Sequence, residues 1–484
     1  MNQITFSQIQ EYNTQYTYTK DQKIVIEKLI DLLNSKKKFI GLYGYAGTGK
    51  TTTICSFVSF ITQHNINVAM AAPTNKAALV MEDSYILIDD SKLGVNFCTI
   101  HKLLDYQVIT DSNGYQQFVP KTMNRKNNFE KYNLVVIDEC SMITLDMAKE
   151  IFSLLNKSKN AKVVFIGDPA QLPPVGEIIA PFFYDLKKNI NVKSEHEMSN
   201  AELKKYLKEL QENSFTMKKL VRMKNQKYRN FCKEIRAFAL GESDEEFSDK
   251  NIDFEKVSAY DKQIYEEWIS TAIKYFKNEE KNNEYYSNII LCWTNKKVNE
   301  YNEIVRKNII QDKYAYKEYH VGDVIIFTKY YSDEFHTSCQ AKIIGCEETS
   351  HTVKCKNLSP LSIADFSVKG FNLLIEKNNG KSKKIFVISK DHKKNFERKR
   401  ELIRKKISSL DGNKPWEAFN SILHKPFAEI NLGLSMTCHK SQSSTFDNVF
   451  IDYSDIKKNR NSDEMKKCFY TACTRGAKRI HILI

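Results

Sequence analysis

The sequence has no apolar run approaching about 18 residues, and its first stretch, MNQITFSQIQEYNTQ, has no basic segment leading into an apolar one. These absences argue against a membrane-spanning helix and a secretory leader, so the expectation is a cytoplasmic protein, in a host cell's cytoplasm if the chain is viral. The eleven cysteines never form a CxxC pair, and Cys339, Cys346 and Cys355 match no usual zinc spacing. That argues against a zinc site or a disulfide framework and for reduced, mostly buried thiols. Acidic residues are in deficit, 59 against 73 Lys and Arg, and the resulting net charge of +14 favours a polyanionic partner. With 484 residues, 42% of them apolar, the chain reads as globular and divided into about two to four domains.

What is present is organised around residues 39–56, FIGLYGYAGTGKTTTICS: an apolar run, a glycine-rich turn, and a segment able to continue as a helix. The turn fits G-x-x-x-x-G-K-[ST], in which backbone N–H groups and a helix N-terminus cradle phosphates. Gly44, Gly47, Thr48 and Gly49 then surround the phosphates, and Lys50 reaches the outer ones. The Thr51 hydroxyl is placed to hold Mg²⁺, with Thr52 beside it.

Upstream, Thr19 is positioned to cap a helix with an apolar face of Ile24, Leu29, Ile30 and Leu33. Gln22, at the start of that helix, carries an amide that can read an adenine edge, and it fits an ordinary solvent-facing position as well. NVAMAA reads as a buried strand followed by PTNKAA, so Pro73, Thr74, Asn75 and Lys76 sit where open α/β sheets bind ligands; a helix N-cap explains Thr74 equally. Within residues 105–120 two β-rich arms flank Asn113 and Gly114, the signature of a hairpin. It carries Tyr106, Tyr115 and Phe118 beyond the sheet, either as decoration or as a wedge against a base pair. NLVVIDECSM delivers Asp138 and Glu139 to the end of a buried strand, Asp138 for Mg²⁺ and Glu139 to polarise a water. AKVVFIGDPAQLPPVG brings Asp168 and Gln171 to the same mouth, where Gln171 can sense a γ-phosphate or a water.

Residues 189–214 are polar and read as a linker with one surface helix near residues 200–212. SNIILCWTNKKVNEYN then repeats strand and helix, with Thr294 and Asn295 at the junction, and implies a second α/β domain. From about residue 311 to 431 short β-rich runs suggest a small β-barrel. It is followed by a tract, residues 381–406, with twelve bases against three acids, either a solvated helix or a phosphate-tracking surface. The second domain closes with LGLSMTCHKSQ, holding Thr437, His439 and Gln442, and with FYTACTRG, holding Arg475.

In order, TKDQ, GYAGTGKT, APTNKAA, TIH, VVIDECSM, IGDPAQLPPVG, the arginine of KKLVR, WTNKKVNEYN, TCHKSQ and YTACTR resemble the superfamily 1 helicases, and among them the 5′-to-3′ group of RecD-like and Dda-like enzymes. The resemblance implies an α/β fold of two RecA-like P-loop domains, 1–95 with 129–190 and 215–310 with 432–484. It adds a hairpin pin at 96–128, a polar linker or insertion at 191–214, and an SH3-like β-barrel with the basic tract at 311–431. It implies an ATP-hydrolysing DNA helicase with ATP and Mg²⁺ in the cleft: Gln22 on adenine, Lys50, Glu139 and Gln171 at the reacting phosphate. Arg222 and Arg475 would arrive from the second domain as arginine fingers. Thr74, Asn75, Thr99, His101, Thr294, Asn295, Thr437 and His439 would line the single-strand path, with Tyr115 or Phe118 stacking at the pin. Single-stranded DNA and duplex junctions are the implied partners, alongside single-strand-binding or replication proteins, for a monomer acting away from membranes in replication or recombination, as in a phage. One departure stands out, because RecD-like relatives read HKSQG where this chain has Ser443 after Gln442. A serine there is strained if the position needs positive φ. Two other readings share the phosphate motifs: a nucleotide-gated single-strand-binding or recombination-mediator ATPase, and an RNA-directed viral helicase.

Overall fold

The helix Lys20–Asn34 starts at a capping box, in which Gln22 N–H donates to Thr19 Oγ1 at 3.3 Å and Thr19 N–H donates to Gln22 Oε1 at 2.8 Å. Its Val25, Ile26, Leu29 and Leu32 are buried in the first core, which holds the helix against a parallel sheet. The computed structural model describes residues 4–110, 116–121, 126–174, 176–177, 179–183, 201–222, 226–242, 262–281, 287–309, 317–332, 334–355, 358, 363–408 and 414–483.

The first unit contains Phe39–Gly44 (β1), Val68–Ala72 (β2), Val95–Thr99 (β3), the hairpin Tyr106–Thr110 (β4) and Gln116–Pro120 (β5), Leu134–Ile137 (β6), Lys162–Gly167 (β7) and Ser214–Met217 (β8). Six of these form one sheet in the order β3-β2-β6-β7-β1-β8, with every pairing parallel. β1, β2 and β6 are buried at every position, as the short unbroken apolar runs require of strands covered on both faces. All strands point the same way, so the phosphate loop, PTNKAA, Asp138 with Glu139, and Asp168 emerge along one edge.

β4 pairs antiparallel with β5, Tyr106 facing Pro120, so the expected hairpin is present; Asn113, Gly114 and Tyr115 lie outside the described residues. Because β3 belongs to the main sheet, the excursion starts after the short helix Ile100–Leu103 rather than at residue 96. The polar stretch also differs from a linker in its described part. Helix Ala201–Glu212 buries Leu203, Leu207 and Leu210 in the core of the first unit, and β8 adds an edge strand to β1, Gly41 opposite Ser214. The first unit therefore extends past residue 214, where a domain boundary was expected.

The second unit is a parallel sheet in the order β15-β9-β16-β17, built from Asn288–Cys292 (β9), Ser435–Thr437 (β15), Phe446–Asp452 (β16) and Gly476–Leu483 (β17). Between β9 and β15 the chain forms an antiparallel sheet of Val324–Phe327 (β10), Gln340–Val353 (β11), Phe366–Glu376 (β12), Ser382–Ile388 (β13) and Ile430–Leu432 (β14), in the order β13-β12-β11-β10-β14. A bridge from Phe386 to Phe427 curls β13 back towards β14 and nearly closes it. The basic tract runs through β13, which holds Lys383 and Lys384, and continues as the helix Lys390–Ile407, anchored by buried Phe396, Ile403 and Ile407, with Lys393, Lys394, Arg398 and Lys399 exposed. The two α/β units touch extensively: Ala46, Ala170 and Leu172 of the first lie in the same apolar cluster as Met436, Phe469 and Tyr470 of the second. Among the described residues no helix is long and apolar enough to cross a membrane.

Candidate active site

After β1 the chain must turn sharply and present its amides, and two glycines make this possible. Gly47 and Gly49 hold φ of 82° and 81°, and a Cβ on Gly49 would stand 2.8 Å from Gln22 Nε2. Thr48, fully buried, turns its hydroxyl onto Tyr45 O at 2.9 Å, so its side chain stiffens the loop. Lys50, first residue of helix Lys50–Thr62, donates to Gly44 O at 2.8 Å and Tyr45 O at 3.0 Å. Burial lowers its pKa, and the charges of Asp168, Glu139 and Asp138 oppose that shift. Gln22 is buried, its carbonyl committed to the capping box, which leaves its NH₂ beside Gly49 as the group free to meet a base.

Thr51 Oγ1 donates to Asp138 Oδ2 at 3.1 Å, and Glu139 N–H donates to Asp138 Oδ1 at 2.8 Å. Burial first, and then repulsion from Glu139, pushes the Asp138 pKa up to about 6. A buried carboxylate so destabilised, next to a hydroxyl, offers oxygen donors that could hold a divalent cation. The enclosing cavity, about 160 Å³, is lined by Lys50, Asp138, Glu139, Gln171, Arg222, Ser443 and Arg475 among others. Gln171 Oε1 is buried there without a partner, an orphaned amide that suits a polar occupant. A larger cavity of about 350 Å³ between the insert and the second unit mixes acids and bases and has no phosphate-binding loop.

Arg475 reaches this cavity from the second unit. It is buried and held by Nε to Thr471 O (3.0 Å), Nη2 to Thr474 Oγ1 (3.0 Å) and Nη1 to Ser444 O (3.4 Å). Burial lowers its pKa and the nearby Glu139 charge counters the shift. Arg222 corrects the expectation that both arginines cross from the second domain. Its backbone N–H, with that of Val221, donates to Gly47 O at 3.0 and 2.8 Å, so it is hooked onto the phosphate loop just beyond edge strand β8. Its guanidinium reaches the other unit at Thr474 O, 3.5 Å away.

The residues expected along a DNA path fall on both sheet edges, and several are also structural. Thr74 and Thr99 cap helices, accepting from Ala77 N–H (3.1 Å) and Lys102 N–H (3.3 Å). Thr294 does so for Lys297 N–H (3.2 Å) and is fixed by buried Asp455 through Oγ1 at 3.0 Å and N–H at 2.8 Å. Pro73 and Asn75 are half-buried, Asn295 is exposed, and Lys76 donates to Ser338 O in the insert at 3.2 Å. Thr437 is buried, accepting from Lys440 N–H at 3.4 Å, and His439 Nε2 lies 3.2 Å from Glu464. On the hairpin, Phe118 is 56% exposed with its ring 4.3 Å from that of His101.

Residues 17–227 match the AAA domain family and residues 432–483 the UvrD-like helicase C-terminal domain. An uncharacterized protein of Acanthamoeba polyphaga mimivirus is 30% identical over 96% of this chain and all of its own length. The ATP-dependent DNA helicase dda of Enterobacteria phage T4 is 23% identical over 95% of this chain and 97% of that protein. The Pif1 helicase structure from Candida albicans shares the fold, with a TM-score of 0.50 at 15% identity over 97% of this chain and 94% of that one. The chain belongs to the superfamily 1 helicases. It is an ATP-hydrolysing DNA helicase with Dda and RecD similarity.

Sequence reasoning missed how this helicase fastens its phosphate loop from behind. Tyr470 OH donates to Asp168 Oδ2 at 2.6 Å and accepts from Ala46 N–H at 3.2 Å, while Arg236 pairs with Asp168 Oδ1 at 3.3 Å and lies 4.1 Å over the Tyr45 ring. All three polar residues are buried. Tyr470→Phe leaves a buried carboxylate oxygen and a loop amide unpaired, so a stability loss of roughly 2 kcal/mol is expected by thermal unfolding, with a raised KM for ATP. The available signal was Asp168 in GDPAQ and Tyr470 in YTACTR, whose partnership spans 302 residues.

Proposed function

We propose that this helicase moves 5′ to 3′ on single-stranded DNA and parts duplex at its hairpin, in a cycle of cleft closure on ATP and opening after hydrolysis. The observation that carries the reading is one cleft with Lys50, Asp138 and Glu139 on one wall and Arg475 on the other. In this reading Lys50 and the loop amides hold the triphosphate, Gln22 meets adenine, Glu139 takes the proton of the attacking water, and Gln171 senses the γ-phosphate. Thr51 and Asp138 would hold Mg²⁺, which neutralises phosphate charge when bound. Pro73 to Lys76, Thr99, His101, Thr294, Asn295, Thr437 and His439 track the strand along both sheet edges. The direction rests on the dda and RecD similarity.

Phe118, exposed and backed by His101, is the described residue best placed to stack on the last base pair. Phe118→Ala should lower unwinding about tenfold and leave single-strand-stimulated ATPase within about twofold. Equal losses of both would point to the nucleotide-gated binding protein instead. The deciding experiment is unwinding of duplexes with a 5′ or a 3′ tail, beside ATPase stimulation by single-stranded DNA and RNA. Activity on the 3′ tail alone overturns the direction, and stronger stimulation by RNA overturns the substrate.

A further inference from the structure

Among the described residues only six non-glycine residues have positive φ, and two of them face each other across the cleft: Glu139 at 51° and Ser443 at 61°. Left-handed backbone is unfavourable for both residue types, and such strain persists where surrounding structure imposes it, often at functional sites. Here it brings two side chains together, Ser443 Oγ donating to Glu139 Oε1 at 3.3 Å over 304 positions of sequence. We infer that Ser443 is a positioning residue for hydrolysis, its hydroxyl fixing the aim of the Glu139 carboxylate from the second domain. This rests on the reading of Glu139 as the base.

The turn that carries Ser443 is internally tied. Gln442 N–H donates to His439 O at 3.3 Å, Ser441 Oγ to Cys438 O at 2.7 Å and Ser444 N–H to Ser441 O at 3.0 Å. Ser443 therefore moves with Thr437 and His439 on one side and with Arg475, bonded to Ser444 O, on the other. An ionised carboxylate only accepts, so the hydroxyl must be the donor; it occupies Oε1 and leaves Oε2 for the water. When the domains part, the donor leaves and the carboxylate is free to swing. The contact thus makes the base competent in the same geometry that brings Arg475 to the phosphate.

The test uses the full chain, with ATPase measured at saturating single-stranded DNA. Ser443→Ala is expected to lower kcat about tenfold with KM for ATP within about twofold, since the lost bond orients the base and does not hold nucleotide. Ser443→Gly should match it in kcat while unfolding at a higher temperature than Ser443→Ala, because glycine is at ease at this φ. Added to Glu139→Gln, Ser443→Ala should change the residual rate by less than about twofold, as expected of a residue acting through another. Wild-type kcat in both Ser443 variants, or a full additional loss in the Glu139→Gln background, overturns the inference. If Glu139→Gln alone stays active, it is the assignment of the base that fails.

Discussion

Replacing Glu139 by glutamine should reduce DNA-stimulated ATP turnover by about 10³-fold, within the range that a positioned general base contributes. Glutamine keeps the length of the side chain and an acceptor for Ser443, so the contact between the domains survives and proton acceptance is what goes. Thr51 and Asp138 stay in place, and removal of the adjacent negative charge relieves the second-largest cause of the raised Asp138 pKa. ATP binding should therefore persist or tighten. Phosphate release under saturating DNA measures the first effect and a fluorescent nucleotide titration the second. A variant with a tenth or more of the wild-type rate would show that water is activated elsewhere.

Arg475→Ala should cost at least as much, about 10³-fold or more in kcat, because an arginine at a transferring phosphoryl group commonly contributes that amount. The guanidinium is already pre-organised, with Thr471 O, Ser444 O and Thr474 Oγ1 each holding a different nitrogen. Lysine cannot satisfy three such acceptors from one point, so Arg475→Lys should recover little of the rate. Thermal unfolding separates loss of the finger from loss of fold. If both variants fold and Arg475→Lys works at near the wild-type rate, a fixed guanidinium is not what the second domain contributes.

The contrast between Arg475, held in the second unit, and Arg222, hooked onto the phosphate loop, marks how much of the site could be read in advance. The loop at residues 39–56 was legible because glycine spacing, a lysine and a flanking apolar run are local features, and β6 announced Asp138 and Glu139 in the same way. Arg222 was assigned to the wrong domain because its place depends on β8 pairing with β1, a contact across some 170 residues that no local pattern records. Helix Ala201–Glu212 looked solvated since its polar residues outnumber the three leucines that dock it. Gln22 was expected to offer both halves of its amide, but the capping box takes the carbonyl. The strain at Ser443 was conditional on a backbone angle, and that angle is 61°.

The shared apolar seam formed by Ala46, Ala170 and Leu172 against Met436, Phe469 and Tyr470 gives the motor a thermal character as well as a shape. In the proposed cycle each opening stroke would wet that seam, and wetting oily surface raises heat capacity. Its resistance to opening therefore fades in the cold, where such burial is weakest. A chilled enzyme would slip open more readily between strokes, shedding nucleotide before it is used, so its grip would fall off with temperature faster than its chemistry.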